Sequence, residues 1–273
     1  MGIQYKCDKR NTVHIKSDSK YYALGFDLYR IEKEGIKIPL INNAPNIIAL
    51  LLNISDRALE RAVKIYDKDL LPTLSLAGED FEKHYSFTHK KHTELEFDLY
   101  ENLFVSIVFA YSAVEAFVNN LIPKDFKYKA DYKRGGTSAT LICDTEYIGK
   151  NYSVEEKINA ILPLLYRYDI NSFKKDKSEE KICWEKFKRL IEYRHKIIHP
   201  KTKISKLKKF SQIRFIADIF IDGINKEITK PARDLIKILC KKVYNSPEEV
   251  IKSPHIPYEF AEELTKFQNY ELF

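Results

Sequence analysis

The chain has 273 residues, of which 44% are hydrophobic and 31% are charged, a balance typical of a soluble globular protein. Lysine and arginine number 46 against 39 acidic residues, and the formal charge of +7 favours polyanionic partners. Four cysteines without a CxxC spacing argue against a disulfide-knit scaffold or a cysteine-type zinc finger and favour a cytoplasmic location. No apolar run approaches the roughly 20 residues of a membrane span, so we expect no membrane partner.

The first part of the chain predicts strands followed by one helix. Residues 12–41 are rich in β-branched and aromatic residues, and Lys33-Glu34-Gly35 predicts a turn between two such runs. We therefore expect a small β-meander here. Apolar residues in 46–70 recur at helical spacing, and a break follows near residues 71–80. Residues 81–93 hold three histidines among lysines and predict a connecting segment.

A long helical pattern begins at about Glu94. It is marked by apolar side chains at steps of three and four residues, namely Phe104, Val108, Tyr111, Val118 and Ile122. Pro123 predicts the end of this helix, and residues 123–152 predict a loop of basic, aromatic and glycine character. Ser153 and Glu156 have the spacing of a capping box, which predicts the start of a second helix.

The remaining chain predicts further helices. One runs from about Ser178 to Ile198, where Pro200 ends it, and a last core helix runs from about Pro231 to Tyr244. Residues 204–228 between them fit a helix, but Asp222-Gly223 also fits a hairpin turn.

These elements predict a mainly α fold, a helical bundle with a small N-terminal β-meander. We expect three parts in the chain. Residues 1–93 hold the meander and a helix, residues 94–244 form the helical bundle, and residues 245–273 form a C-terminal extension.

The segment Tyr193-Arg194-His195-Lys196-Ile197-Ile198-His199-Pro200 predicts a functional site. Arg194 and His199 are five residues apart, which on an ideal helix separates them by roughly 140°. Pro200 disfavours the α conformation of His199, so we expect this residue to leave the helix and fold back towards Arg194. A guanidinium beside an imidazole suits a phosphodiester, because one group holds phosphate oxygens while the other moves a proton.

Glu115 is the second candidate site residue. It interrupts the apolar stripe of the long helix, where an unpaired carboxylate removed from water is costly. Arg194 or His195 on a facing helix would serve as its partner and would also hold the site in position. The alternative is that Glu115 lies at the edge of the stripe and reaches solvent.

An arginine, four intervening residues and a histidine at the end of a late helix resemble the motif of HEPN domains. The segment AYSAVEAFVNNLIP at 110–123 resembles the first core helix of that superfamily, and the resemblance covers roughly residues 95–244. It implies a metal-independent endoribonuclease that acts as a homodimer through the helical bundle. Some members only bind or scaffold. The family often has Asn or Asp where this chain has His195.

The resemblance also implies a mechanism and a setting. The 2′-hydroxyl of RNA would attack the adjacent phosphorus, with His199 transferring a proton, Arg194 stabilising the phosphorane, and His195 acting as a second proton carrier or orienting the phosphate. No metal or cofactor is expected. The family suggests a toxin or phage-defence role, with an inhibitory antitoxin as a partner.

Two basic clusters fit an RNA partner. The first follows the motif directly and comprises Lys201, Lys203, Lys206, Lys208 and Lys209. The second lies in 124–134, where Lys133 and Arg134 stand among aromatic residues that could stack on bases. The alternative is that both clusters are solvated, lysine-rich segments.

Two other interpretations stay open. His195 and His199 have the spacing of helix-borne zinc ligands, but the sequence lacks the glutamate of an HExxH motif. A non-catalytic HEPN-like module that binds RNA, a nucleotide or another protein would use the same residues without cleaving a substrate.

Overall fold

A computed structural model of the chain shows a mainly helical protein, which confirms the mainly α character of the predicted fold. The structure describes the backbone of residues 14–15, 21–22, 27–33, 36–42, 46–71, 81–134, 137–199, 206–225, 227–244 and 256. It describes side chains in residues 46–71, 93–131, 140–199, 215–225, 227–244 and 256.

The helices of the described residues are numbered in chain order. They are α1 (Ile47–Ile65), α2 (Phe81–Asn120), α3 (Thr145–Asn151), α4 (Val154–Glu156), α5 (Leu162–Tyr166), α6 (Glu179–Ile198), α7 (Lys206–Ile224) and α8 (Lys230–Val243). A π-helical turn, Tyr66–Leu70, continues α1, and another, Lys157–Ile161, joins α4 to α5. A short 3₁₀ turn spans Ile170–Phe173.

Strands in the first part of the chain pair as two separate hairpins. β1 (His14–Ile15) pairs with β2 (Tyr21–Tyr22), and β3 (Asp27–Lys33) pairs with β4 (Ile36–Asn42), both antiparallel. The pairing of Lys33 with Ile36 agrees with the predicted turn. The predicted meander is wrong in one respect, because β2 and β3 do not pair within the described backbone.

The predicted loop at 123–152 is wrong. It contains an antiparallel hairpin of β5 (Lys127–Arg134) and β6 (Thr137–Asp144), followed by α3. Arg134 pairs with Thr137 across the two intervening glycines, a turn composition that favours a two-residue hairpin. The Asp144 side chain then caps α3 by accepting a hydrogen bond of 2.8 Å from the Tyr147 N–H.

The segment 81–93, predicted as a connection, is helical. α2 begins at Phe81 and continues to Asn120, although its first turns lack an apolar stripe in the sequence. The predicted boundary between residues 93 and 94 lies inside this helix. The division of the chain into three parts stays a prediction.

Several helix ends lie where the sequence predicted them. Ser153 and Glu156 form the predicted capping box, with the Glu156 N–H donating to Ser153 Oγ (3.2 Å) and the Ser153 N–H donating to the Glu156 carboxylate (2.7 Å). α6 ends at Ile198 as expected. The ambiguous segment 204–228 forms α7, which includes Asp222 and Gly223, so the hairpin alternative is wrong.

The described residues divide into two compact units. The first unit draws on Met1–Leu50, Ala113–Lys181 and Ile236–Phe273, and the second on Leu51–Ser112 and Ile182–Leu235.

The first unit has an apolar core that contains a buried lysine. Ile148, Ile158 and Phe117 are fully buried, and so is Lys157. The Lys157 ammonium donates to Asn119 Oδ1 (2.9 Å) and to the Gly149 carbonyl (3.2 Å). Burial lowers the pKa of Lys157, while the nearby carboxylates of Glu115 and Glu156 favour its charged form.

The second unit has its own core, where helices α1, α2 and α6 to α8 contribute. The side chains that are fully buried in this core include Leu103, Ile107, Phe187 and Leu235. Ser55 Oγ donates to the Ser106 carbonyl at 2.8 Å, a bond between α1 and α2 that satisfies two buried polar groups.

Three cysteines of the described chain, Cys143, Cys183 and Cys240, are free thiols with buried side chains. Burial raises the pKa of the Cys240 thiol well above its usual range. Cys7 lies outside the described residues.

One segment of α2, Thr93–Asn120, is long and apolar enough to cross a membrane by length and composition, within the residues that the structure describes. Half of its most apolar window is buried inside the protein, as in the core helices of soluble proteins. The structure is consistent with a soluble protein. The sequence prediction missed this window because Ser106, Ser112 and Glu115 divide it into shorter apolar runs.

The close approach of α7 to α2 at Gly223 predicts a stability effect. A Cβ atom at Gly223 would overlap the Cδ atoms of the buried Leu103, whereas a Cβ at Gly149 in α3 would meet open space. Gly223→Ala and Gly149→Ala gain similar helix propensity. The unfolding free energy of Gly223→Ala should therefore change less favourably than that of Gly149→Ala by about 1–3 kcal/mol, which is the cost of overpacking against Leu103. Urea unfolding measures it, and equal stability of the two variants would show that Leu103 yields without cost.

Candidate functional site

The last turn of α6 presents the predicted site residues. One face of α6 is buried in the second unit through side chains at helical spacing, namely Cys183, Trp184, Phe187, Leu190 and Tyr193. The opposite side of the last turn is open, and His195 and His199 are exposed there. The packed face therefore fixes the direction in which the exposed residues point.

Arg194 is held by an aromatic ring. Its guanidinium carbon lies 4.9 Å from the ring centroid of Tyr111, within the range of a cation–π interaction. The Tyr111 ring is parallel to that of the buried Phe187, with centroids 6.3 Å apart. The stack of Phe187, Tyr111 and Arg194 joins the core of the second unit to the end of α6.

The Nε of Arg194 is buried and has no hydrogen-bond partner within the described part of the chain. Arg194 also forms no ion pair with any described carboxylate of the second unit. A buried donor without a partner is rare in proteins, so the environment of Arg194 is unusual. Phosphate oxygens are acceptors that suit a guanidinium.

His195 and His199 form a pair of imidazoles. Their ring centroids are 5.0 Å apart with a tilt of 50° between the planes. The His199 backbone N–H donates to the His195 carbonyl at 2.9 Å, which is one further helical hydrogen bond. Both side chains thus project from the same side of the helix end.

This geometry differs from the expected one. We predicted that His199 folds back towards Arg194, but its amide keeps the helical bond and its ring lies against His195. Arg194 and His199 make no hydrogen bond with each other in the described structure. The physical reason is that a four-residue step brings side chains together on a helix, whereas a five-residue step does not.

Next to the site, Tyr193 forms a hydrogen-bonded cluster with two charged residues. Its hydroxyl donates to Asp222 Oδ2 (2.8 Å) and accepts from Arg189 Nε (2.6 Å), and Arg189 Nε also lies 3.0 Å from Asp222 Oδ2. Burial and the bond to Asp222 raise the pKa of Tyr193 to about 12. This cluster ties α6 to α7.

Lys196, which lies between the two histidines in sequence, makes a second cation–π contact. The Lys196 ammonium is 5.0 Å from the ring centroid of Phe215, and Phe215 in turn contacts Tyr193 with centroids 5.8 Å apart. Lys196 is exposed, so its charge adds to the positive character of the helix end.

Glu115 belongs to the first unit, and the nearby charge that acts there is Lys157, whose ammonium it helps to keep protonated. Sequence reasoning missed this lysine, since a lysine one position after Glu156 in a capped helix reads as a solvent-facing residue. Arg194 belongs to the second unit, and its pairing with Glu115 stays a prediction.

The predicted RNA-binding residues are only partly placed. Lys201 and Lys203 lie outside the described residues, and Lys206, Lys208 and Lys209 belong to the first turn of α7, where the structure describes the backbone alone. Lys133 and Arg134 form the end of β5, and there too the description is of the backbone. Their role in binding RNA stays a prediction.

Two contacts of the site escaped sequence reasoning. Tyr111 was recognised as an apolar stripe residue but not as the support of Arg194, and Asp222 was considered only as part of a turn. Neither spacing nor composition shows which side chains of separate helices meet. Among the described side chains, no group of three or more His, Cys, Asp or Glu residues is placed to hold a metal.

Comparison of the chain with protein-family models gives no match, and comparisons with curated proteins and with solved structures give none either.

The Tyr193 cluster predicts a pH-dependent stability. Tyr193→Phe removes two hydrogen bonds of a buried hydroxyl, so we expect a loss of about 1–3 kcal/mol at neutral pH. The pKa of Tyr193 is higher in the folded protein than the usual 10.0, so the stabilisation is full below pH 10 and declines as the pH rises towards about 12.

Urea unfolding of the wild type and Tyr193→Phe at a series of pH values tests this. The stability difference between the two proteins should narrow above pH 10. A difference that stays constant up to pH 11 would contradict the proposed protonated hydroxyl between Arg189 and Asp222.

Proposed function

We propose that the protein is a metal-independent endoribonuclease that cleaves RNA by attack of its own 2′-hydroxyl. The proposal extends the HEPN-like interpretation of the sequence. One observation supports it above the others, namely a pair of adjacent imidazoles at a helix end, next in sequence to an arginine whose guanidinium lies over the ring of Tyr111.

This reaction requires a general base and a general acid, and two imidazoles can supply both. A neutral imidazole takes the proton of the 2′-hydroxyl while the O2′–P bond forms, and a protonated imidazole gives its proton to the 5′ oxygen as the P–O5′ bond breaks. The products are a 2′,3′-cyclic phosphate and a 5′-hydroxyl. With ring centroids 5.0 Å apart, His195 and His199 can both reach one phosphodiester.

Arg194 supplies the electrostatic part of the mechanism. Negative charge grows on the phosphorane oxygens, and a positioned cation stabilises it. The guanidinium of Arg194 lies over the π face of the Tyr111 ring, and this contact uses none of the N–H donors of Arg194.

The surroundings of the reaction are part of the proposal. Both imidazoles belong to one chain, so the chemistry does not require that acid and base come from two subunits. The HEPN resemblance implies a homodimer through the helical bundle, a cytoplasmic location, and a toxin or phage-defence role that an antitoxin restrains. We propose these by resemblance.

The site predicts a set of variant activities. His195→Ala and His199→Ala should each lower RNA cleavage by about 10²–10⁴-fold, because each removes a proton carrier. Arg194→Lys should retain part of the activity, since the charge stays but the forked donor is lost. Cleavage of total RNA in the presence of EDTA, with analysis of the ends for cyclic phosphate, is the measurement.

Glu192→Ala is the matched control for these variants, because Glu192 is an exposed residue in the same turn of α6. It should cleave at the wild-type rate. If both histidine variants also cleave at that rate, the catalytic assignment fails. RNA that is bound but not cleaved by the wild type would identify a non-catalytic module, and activity that EDTA removes and zinc restores would identify a metal enzyme.

The basic segment after the motif predicts a salt effect. Replacing Lys206, Lys208 and Lys209 by Gln should lower RNA affinity and reduce the slope of log K against log salt by about 0.7 per lost phosphate contact, or about 2 in total. Replacing the exposed lysines of another segment, Lys174, Lys175 and Lys177, removes the same charge and should leave the slope nearly unchanged. Equal slopes for both triple variants would exclude residues 206–209 as the RNA contact.

A further inference from the structure

A surface pocket lies in the second unit, apart from the imidazole pair. Its volume is about 330 Å³, at the lower end of the range for small-molecule sites. α6, α7 and the start of α8 form its walls. Leu190, Ile228 and Pro231 provide an apolar base, and all three are buried.

The rim of this pocket carries one more cationic than anionic side chain. Lys186, Arg189 and Lys230 line it, against two carboxylates, Asp222 and Glu227. α8 begins at Lys230 beside this pocket, and the N-terminus of a helix adds a partial positive charge.

Arg189 is positioned in advance of any ligand. Its Nε is fixed by the Tyr193 hydroxyl at 2.6 Å and by Asp222 at 3.0 Å. The two terminal nitrogens of the guanidinium make no hydrogen bond within the described part of the chain. Asp222 is thus neutralised by Arg189, while the outer edge of the fork stays available for two oxygens of a ligand.

Glu227 occupies the place of an anion between the two lysines. Its carboxylate oxygens lie 3.4 Å from Lys186 Nζ and 3.7 Å from Lys230 Nζ. These are long contacts between half-exposed groups, and such pairs contribute little to stability. The lysines can therefore turn to a stronger anion at small cost.

We infer that this pocket binds a small phosphate monoester, with the phosphate between Lys186, Arg189 and Lys230 and the organic part on the apolar base. A dianionic monoester fits three cations better than a monoanionic diester or carboxylate does. The same chemical group occurs at the 5′ end of an RNA and in free sugar phosphates. The inference rests on the pocket alone and does not require RNA cleavage.

The test uses the full chain and ribose 5-phosphate as the probe, with binding measured by calorimetry at low salt. Lys186→Gln should weaken binding about fivefold to tenfold, because it removes a charged contact to the phosphate. Glu227→Gln should strengthen it about threefold or more, because it removes a repelling carboxylate and releases two lysines. A purely structural role of Glu227 gives the opposite sign.

The ion pair of Lys188 and Glu185 provides matched controls. It lies on the same helix with its atoms 2.7 Å apart, and neither residue lines the pocket. Lys188→Gln and Glu185→Gln change the net charge by the same amounts and should leave binding unchanged. If they act as strongly as the pocket variants, or if millimolar ribose 5-phosphate does not bind, the inference is overturned. Equal binding of glycolate would overturn the assignment to phosphate.

Two RNA oligonucleotides of one sequence distinguish the sources of the phosphate. Tighter binding of the 5′-phosphorylated RNA than of the 5′-hydroxyl RNA, lost in Lys186→Gln, identifies an RNA end as the ligand. Binding of ribose 5-phosphate without any effect of RNA phosphorylation identifies a free small molecule. Both results support the pocket, and both stand even if His195→Ala and His199→Ala show that the chain does not cleave RNA.

Discussion

The site depends on a stack in which a buried ring, a second ring and a guanidinium follow one another. Phe187 is anchored in the core of the second unit, Tyr111 lies parallel to it, and Arg194 lies over Tyr111. A carboxylate would hold an arginine more strongly, but it would also compete with a phosphate for the same donors. An aromatic support fixes the position and leaves the donors uncommitted, so core packing and anion recognition use the same contact.

The helical hydrogen bond between the His199 N–H and the His195 carbonyl positions the two imidazoles in the same way that the stack positions Arg194. Because the helical geometry persists to the amide of His199, the two rings take the i and i+4 positions and stay close. Exposure of both rings keeps them accessible to a substrate from solvent. Arg194, the cation next to them in sequence, is held separately through Tyr111, so the imidazoles and the guanidinium are positioned by different contacts.

Sequence reasoning located most of the long helices but not the contacts between them. The capping box at Ser153 and the end of α6 were predictable, because local side-chain chemistry determines both. The β5–β6 hairpin was missed although Gly135-Gly136 between two β-prone runs is a hairpin composition, since the lysines there resembled a loop. The pairing of His199 with His195 depended on backbone geometry near Pro200. The support of Arg194 by Tyr111 depends on tertiary packing, which no spacing in the chain reveals.

The buried thiols have a practical consequence for study of the site. Thiolates, not thiols, react with maleimides, and a buried thiol with a raised pKa, such as that of Cys240, stays protonated and inaccessible. Cys143 and Cys183 are buried as well. If Cys7 is replaced by serine and a cysteine is introduced at an exposed position of α6, the introduced thiol would react in preference to the three buried ones. A fluorophore or a crosslinker could then be placed beside the imidazoles in an otherwise unmodified background.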